Sequence, residues 1–307
     1  MPQIKTAHLI ANPKSGKGLG AQLPAMARDI AERHGATLIH YDTGEGNDFD
    51  AQVEKAVTAA KKDGGVVVAA GGDGTIRSVA QQAAEQSVKF AAVPIGTFNF
   101  FARAHRISEE PEVALNSIFT GELRAVRLGR LNKHYFLINA SFGLYARSIE
   151  ERERTTKRWG RDRLVVILST MCTLLRRHKL IGIDFMQSGK TISLNTASVF
   201  IGNNALQLRD LSMDVAKCMG ENLLAVVVLK PVRRRDMLRI FWRGLAKTLE
   251  EEHRLKSFCA DTLTIRLPVK KIKVALDGEM FYVESPIRVS AEPEALMMVV
   301  PVLAEPA

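Results

Sequence analysis

The chain has little cysteine, little aromatic content and no long uncharged apolar stretch, and each shortage removes a class of protein. Its 307 residues contain only Cys172, Cys218 and Cys259, an odd number without a C-x-x-C pair, which suggests neither a disulfide framework nor a zinc site and fits a reducing compartment. The seven histidines are scattered, and none is spaced with carboxylates or cysteines as a metal motif requires. The longest nearly apolar run, residues 164–175, is about a dozen residues, short of the roughly 20 that a helix needs to cross a bilayer. Apolar residues 7–11 follow almost directly on Met1, without the basic region, long apolar core or cleavage site of an export signal. A cytoplasmic chain that does not span a membrane is the expectation.

What is present supports a folded enzyme-sized protein. With 46% hydrophobic and 25% charged residues the chain can bury a sizeable core and divide into two domains. A formal charge of +10 and a pI near 9.6 point to an acidic partner: nucleic acid, an anionic bilayer surface or a phosphate-rich substrate. Aromatics make up only 6% and no nucleic-acid module is recognisable, so nucleic acid is not expected as a partner.

Short apolar runs alternate with helical patterns up to about residue 120, which predicts parallel strands joined by crossover helices. The strands are 7–11, 37–41, 65–70 and 90–94; the helices are 20–34, 48–62, 75–86 and 110–120. Beyond residue 123 the pattern becomes strand-rich, with 124–131, 135–140, 180–186, 192–201, 223–229, 263–267 and 272–276 as strands and helices at 148–178 and 231–252. The reading is therefore an α/β domain over 1–122 and a β-rich domain over 123–292, with 293–307 able to close the second or rejoin the first.

Gly71-Gly72-Asp73-Gly74-Thr75 stands between an apolar strand and a helix. There the unpaired N–H groups and positive dipole end of a helix can receive a phosphate, glycines let the backbone come close, and Asp73 can accept hydrogen bonds or reach a phosphate-bound Mg²⁺. An ordinary glycine-rich turn with Asp73 or Thr75 as N-cap would give the same pattern, but four special residues in five favour a ligand. Residues 94–99, Pro-Ile-Gly-Thr-Phe-Asn, follow the next strand and should lie beside the first loop, or form a plain turn into the helix containing Arg103. Asn12-Pro13-Lys14-Ser15-Gly16-Lys17-Gly18 is a donor-rich loop that resembles a phosphate loop only in part: a Walker A loop needs Gly at Ala11 and Ser or Thr at Gly18, and no G-x-G-x-x-G occurs. Late in the chain, Asp277-Gly278-Glu279 reads as a hairpin turn that would hold Glu279 at a strand end, where it could accept the proton of an attacking hydroxyl.

Together these clusters resemble the motif set of the diacylglycerol kinase catalytic-domain family, which includes bacterial lipid kinases and the sphingosine and ceramide kinases. The resemblance implies an N-terminal domain similar to those of NAD kinases and phosphofructokinases, a C-terminal β-sandwich and an ATP–Mg²⁺ site in the cleft between them. It further implies that Asn12, Pro13, Lys14, Ser15, Gly16, Thr43, Gly71, Gly72, Gly74, Thr75, Thr97 and Asn99 contact ATP, with Glu279 as general base and Asp73 beside it in the chemistry. Departures exist: Ile76, Arg77 and Ser78 stand where the family often has an apolar residue, Asn and Glu, and Phe98-Asn99-Phe100 stands where it commonly has Gly-Asn-Asp. A structural metal site would place Glu221 as a ligand, although Asn222 replaces the usual Gly.

The basic residues around 164–175 (Arg152, Arg154, Lys157, Arg158, Arg161 and Arg163 before it, Arg176, Arg177 and Lys179 after it) suit a helix lying on an anionic bilayer, or one packed on the β-domain with a solvated charged side. A second candidate spans 233–247, with Phe241 and Trp242 beside Arg239 and Arg243. The resulting expectation is an ATP- and Mg²⁺-dependent lipid kinase that associates peripherally with membranes. Its rivals are a NAD kinase-like or other small-molecule kinase and a catalytically weak lipid- or nucleotide-binding regulator.

Overall fold

The structure, a computed structural model, describes residues 4–144, 146–147, 150–151, 180–187, 190–206, 218, 221–232, 236, 239–240, 242–243 and 254–302. The chain forms two compact units, one of residues 1–128 with 292–307 and one of residues 129–291. The basic helical stretch predicted at 148–178 lies outside the described residues except for 150–151, and most of the one predicted at 231–252 lies outside them too. No helix among the described residues is long and apolar enough to cross a membrane.

The first unit is built on strands β1 (Thr6–Ala11), β2 (Thr37–Asp42), β3 (Val66–Gly71) and β4 (Lys89–Pro94). They pair in parallel in the order β2-β1-β3-β4, with Ala11 opposite both Asp42 and Ala70, and Gly71 opposite Pro94. All six residues of β3 are buried, as expected of a central parallel strand covered on both faces by helices. The helices are α1 (Leu19–Arg33), α2 (Phe49–Asp63), α3 (Asp73–Gln86), the single turn α4 (Phe100–Ala104) and α5 (Pro111–Thr120). Helix α2 shows why such segments fold locally. Its Asp48 side chain caps the N–H groups of Asp50 and Ala51, Val53, Ala56, Val57 and Ala60 form the buried stripe, and Gly64 ends it at φ 70°.

Strand β5 (Glu122–Leu131) leads from the first unit into the second. The second unit contains β6 (His134–Phe136), β7 (Asn139–Gly143), β8 (Ile181–Gln187), β9 (Lys190–Thr196), β10 (Ser198–Gly202), β11 (Leu224–Leu229), β12 (Leu255–Ala260), β13 (Thr262–Arg266), β14 (Lys271–Leu276) and β15 (Glu279–Glu284). Strand β16 (Ile287–Val300) starts there and ends in the first unit, where Met298 lies parallel to Phe90 of β4. One antiparallel sheet runs β12-β11-β10-β7-β14-β15. A second runs through the start of β16, β13, β8 and β9. Phe142, Val199, Val226 and Val274 of the first meet Ile183, Phe185, Ile265 and Val289 of the second in one buried cluster, which makes the unit a sandwich.

The structure corrects three expectations. The single strand read over 192–201 is two, because the chain changes sheets at Ala197. The buried Thr196 hydroxyl anchors that corner, donating to the Leu229 carbonyl at 2.7 Å and accepting the Ser198 N–H at 3.1 Å. The segment expected either to close the second domain or to rejoin the first does both, because β16 is one strand running from Ile287 through Pro293 to Val300. Cys218 and Cys259 form a disulfide, although the cysteine count and spacing suggested none. Linear spacing is silent here, since β12 brings Cys259 within 5.5 Å (Cα to Cα) of a residue 41 positions away.

Candidate functional site

In the order β2-β1-β3-β4 the chain leaves β1 in one direction and returns on its other side for β3. The carboxyl ends of β1 and β3 therefore border the topological switch point, where open α/β sheets take their ligands. Two loops meet there. The Asn12 N–H donates to the Ala70 carbonyl at 3.0 Å, and the Asn12 side-chain amide approaches the Thr75 hydroxyl at 3.4 Å. The other end of the Asn12 side chain accepts the Lys14 N–H at 3.0 Å, folding residues 12–15 into a turn that leaves Lys14 exposed. Pro13 and Ser15 are half-buried in this turn, and Gly16 follows at φ 64°. Thr43, just past β2, donates its hydroxyl to the Ala11 carbonyl at 2.8 Å, tying the β2 end into the same row.

Helix α3 begins in the middle of this row. Its N-cap is Gly72, and no side chain caps it, so its first N–H groups and dipole end remain for a ligand. Gly71 and Gly72 are followed by half-buried Gly74 and Thr75 on the first turn. The loop after β4 lies against this turn: a Cβ on Gly96 would stand 2.6 Å from the Gly72 Cα and 2.8 Å from the Asn99 amide oxygen, so only glycine fits.

Asp73 and Asn99 hold the two loops together. The Asp73 carboxylate accepts the N–H groups of Phe100 and Phe101 at 3.3 and 3.4 Å, capping the start of α4. Burial pushes its pKa up, opposed by N–H groups of Phe101, Phe100 and Asn99. Asn99 is buried at φ 50° and accepts the Gly96 N–H at 3.0 Å, while its amide donates to the Gly96 carbonyl at 3.1 Å and to Glu109 at 2.9 Å. Its side chain thus braces the loop itself. Thr97 and Phe98 of the same loop are exposed. Glu109 is not evident from the sequence, because its pairing with Asn99 spans ten positions of the chain.

In the second unit Asp277 and Gly278 form the predicted two-residue hairpin turn, with φ values of 49° and 94° and Leu276 opposite Glu279. The Asp277 carboxylate does more than turn the chain. It accepts three consecutive backbone N–H groups, those of Leu137, Ile138 and Asn139, at 2.7, 2.8 and 2.9 Å. That anchor was invisible in the sequence, being 140 residues away from its partners. Glu279 follows at the start of β15, half-buried. Glu221 is exposed, and no group of three or more His, Cys, Asp or Glu residues gathers around any point among the described residues. Asn222 adopts φ 58°, so it takes the left-handed conformation that a glycine would otherwise supply.

The family model described as the diacylglycerol kinase catalytic domain matches residues 6–131. Over this stretch the resemblance read from the motifs is shown. The match to the diacylglycerol kinase catalytic domain takes in every loop of the switch-point row and stops short of the Asp277–Glu279 turn. A diacylglycerol kinase of Staphylococcus haemolyticus (strain JCSC1435) is 34% identical over 142 residues, covering 45% of this chain and 42% of that protein. One of Staphylococcus aureus (strain JH9) is 34% identical over 141 residues, covering 45% and 44%. The aligned part spans less than half the length of these curated relatives. A crystal structure of a diacylglycerol kinase from Bacillus anthracis str. Sterne aligns with TM-score 0.72 over 98% of both chains at 17% identity. A second structure from that organism gives 0.73 over 98% of both chains, also at 17%. At that identity they establish the fold: an α/β unit with a parallel sheet followed by an antiparallel β-rich unit.

Proposed function

We propose that this protein is an ATP- and Mg²⁺-dependent kinase that transfers the γ-phosphate to a hydroxyl of a diacylglycerol-like membrane lipid. The observation that carries the reading is the switch point of the parallel sheet, where the uncapped, glycine-led start of α3 stands beside the Asn12 turn. The chemistry of that edge fits a polyphosphate. Backbone N–H groups and a helix dipole meet negative charge, and the approach of Gly96 to Gly72, too close for a Cβ on Gly96, sets the loop after β4 against the start of α3. Lys14, exposed at the rim, adds a cation, and Thr75 and Thr97 add hydroxyls. Magnesium would arrive with the phosphates, keeping several of its waters, and would neutralise charge on them.

Phosphoryl transfer depends chiefly on positioning and charge neutralisation, so few side chains need to react. As the acceptor oxygen attacks the γ-phosphorus and the bond to ADP breaks, the acceptor's proton must leave. Glu279, a carboxylate at a strand end set by a rigid turn, would take it. Asp73 would act by fixing the loops that hold the phosphates. The net charge of +10 supports association with an anionic membrane surface, where such an acceptor is found. Replacing Glu279→Gln should lower turnover roughly 100-fold or more while leaving ATP affinity unchanged, as measured by steady-state kinetics and calorimetry. Normal turnover in that variant would remove Glu279 from the role.

A further inference from the structure

The loop after β4 carries a feature that phosphate binding does not use. Phe98 and Phe100 stack nearly parallel, with ring centroids 5.7 Å apart and planes 6° apart, and Phe98 is 54% exposed. The pair cannot easily fold away, because Asn99 between them is locked to Gly96 and Glu109, and the Phe100 N–H is held by Asp73. These are also the two positions at which the sequence departs from the Gly-Asn-Asp pattern of the family it resembles. An exposed aromatic stack fixed two residues from Gly96 is an apolar surface held ready at the phosphate row.

The two ends of that row differ in character. At the β2 end, Asp42 accepts the Gly44 N–H and the Asn47 amide, and Thr43 lies against the Ala11 carbonyl. At the β4 end stand Phe98 and Phe100. With the phosphates at the switch point in the middle, the nucleoside, rich in hydrogen-bonding edges, suits the polar end. An apolar acceptor suits the other.

We propose that Phe98, backed by Phe100, is a specificity-determining surface that receives the hydrocarbon part of the acceptor next to its reacting hydroxyl. This rests on the lipid-kinase reading and deepens it: the acceptor must carry apolar chain close to the hydroxyl, as an acyl glycerol does, and a polar soluble alcohol would be a poor substrate. Phe98 is exposed, so its replacement should leave the fold intact.

The test combines kinetics with labelling. With dioctanoylglycerol in mixed micelles, Phe98→Ser should raise the acceptor KM roughly ten-fold, and Phe98→Leu, which keeps apolar area, should restore most of it. The ATP dissociation constant, read by calorimetry, should stay the same in all three proteins. An unchanged acceptor KM in Phe98→Ser, or weakened ATP binding with an unchanged acceptor KM, would overturn the proposal, the latter by assigning the stack to the nucleobase. A diazirine-bearing diacylglycerol should label residues 95–101 of the wild-type protein; labelling confined to other segments would also overturn it. If the wild type phosphorylates no lipid, the lipid-kinase reading fails on that result alone, while the labelling still decides whether the stack receives an acyl chain.

Discussion

In the first unit, parallel strands end at the same edge, so the loops after β1, β2, β3 and β4 converge in one row. In the second, neighbouring strands run antiparallel, and the candidate chemistry there contracts to one hairpin turn. The difference shows two ways of preparing a site. The parallel unit offers backbone, and spends the side chains of Asn12, Asp73 and Asn99 on holding that backbone in place. The antiparallel unit offers one carboxylate, Glu279, and spends its neighbour Asp277 on holding the turn.

This contrast can be broken at its braces. The largest expected effect on stability is that of Asp277→Ala, which strips the acceptor from three N–H groups at once; a loss of about 3 kcal/mol should appear in urea unfolding followed by probes in the second unit. Asp277→Asn, which keeps an acceptor oxygen, should lose clearly less. If both variants are as stable as the wild type, the turn is no anchor. Next comes Gly96→Ala in the first unit, where the new Cβ would press on the Gly72 Cα; a loss of about 2 kcal/mol with a matching fall in ATP affinity is expected. Unaltered ATP affinity would mean that the close approach of the two loops does not shape the phosphate surface.

The smallest effect concerns His105, which caps the far end of α4 and meets the Phe101 ring edge-on at 4.8 Å. Burial, with a contribution from Arg124 and Arg127, lowers its pKa from 6.5 to about 4. Because the folded value lies below the unfolded one, the unfolded chain takes up the proton first as pH falls. His105 therefore costs nothing above its unfolded pKa, and stability should fall as pH drops through the window between 6.5 and about 4. A His105→Gln variant should lose less stability across that window, by roughly 1–2 kcal/mol, in denaturant titrations at several pH values. Equal slopes for the two proteins would contradict the burial of a neutral ring.

Much of this was legible in the sequence because it follows from local pattern. Apolar runs such as residues 66–70 announce buried parallel strands, and the Asp-Gly pair announces its two-residue turn. What stayed hidden is non-local. The Asp277 anchor, the Asn99–Glu109 bond and the Cys218–Cys259 pairing each join positions that only the folded chain brings together. The split at Ala197 was hidden for another reason: a strand that changes sheets keeps its β-forming composition on both sides of the corner. Motif spacing identified where the loops lie, while the bracing role of the Asn99 side chain needed the hydrogen bonds.

The most direct test of the proposed reaction is to incubate the purified protein with γ-labelled ATP, Mg²⁺ and mixed micelles of a total lipid extract, alongside NAD and buffer alone as competing acceptors. Label in one hydroxyl-bearing lipid class, absent when Glu279→Gln replaces the wild type, is the predicted result. Label in NAD, or in no acceptor despite measurable ATP binding, would contradict it.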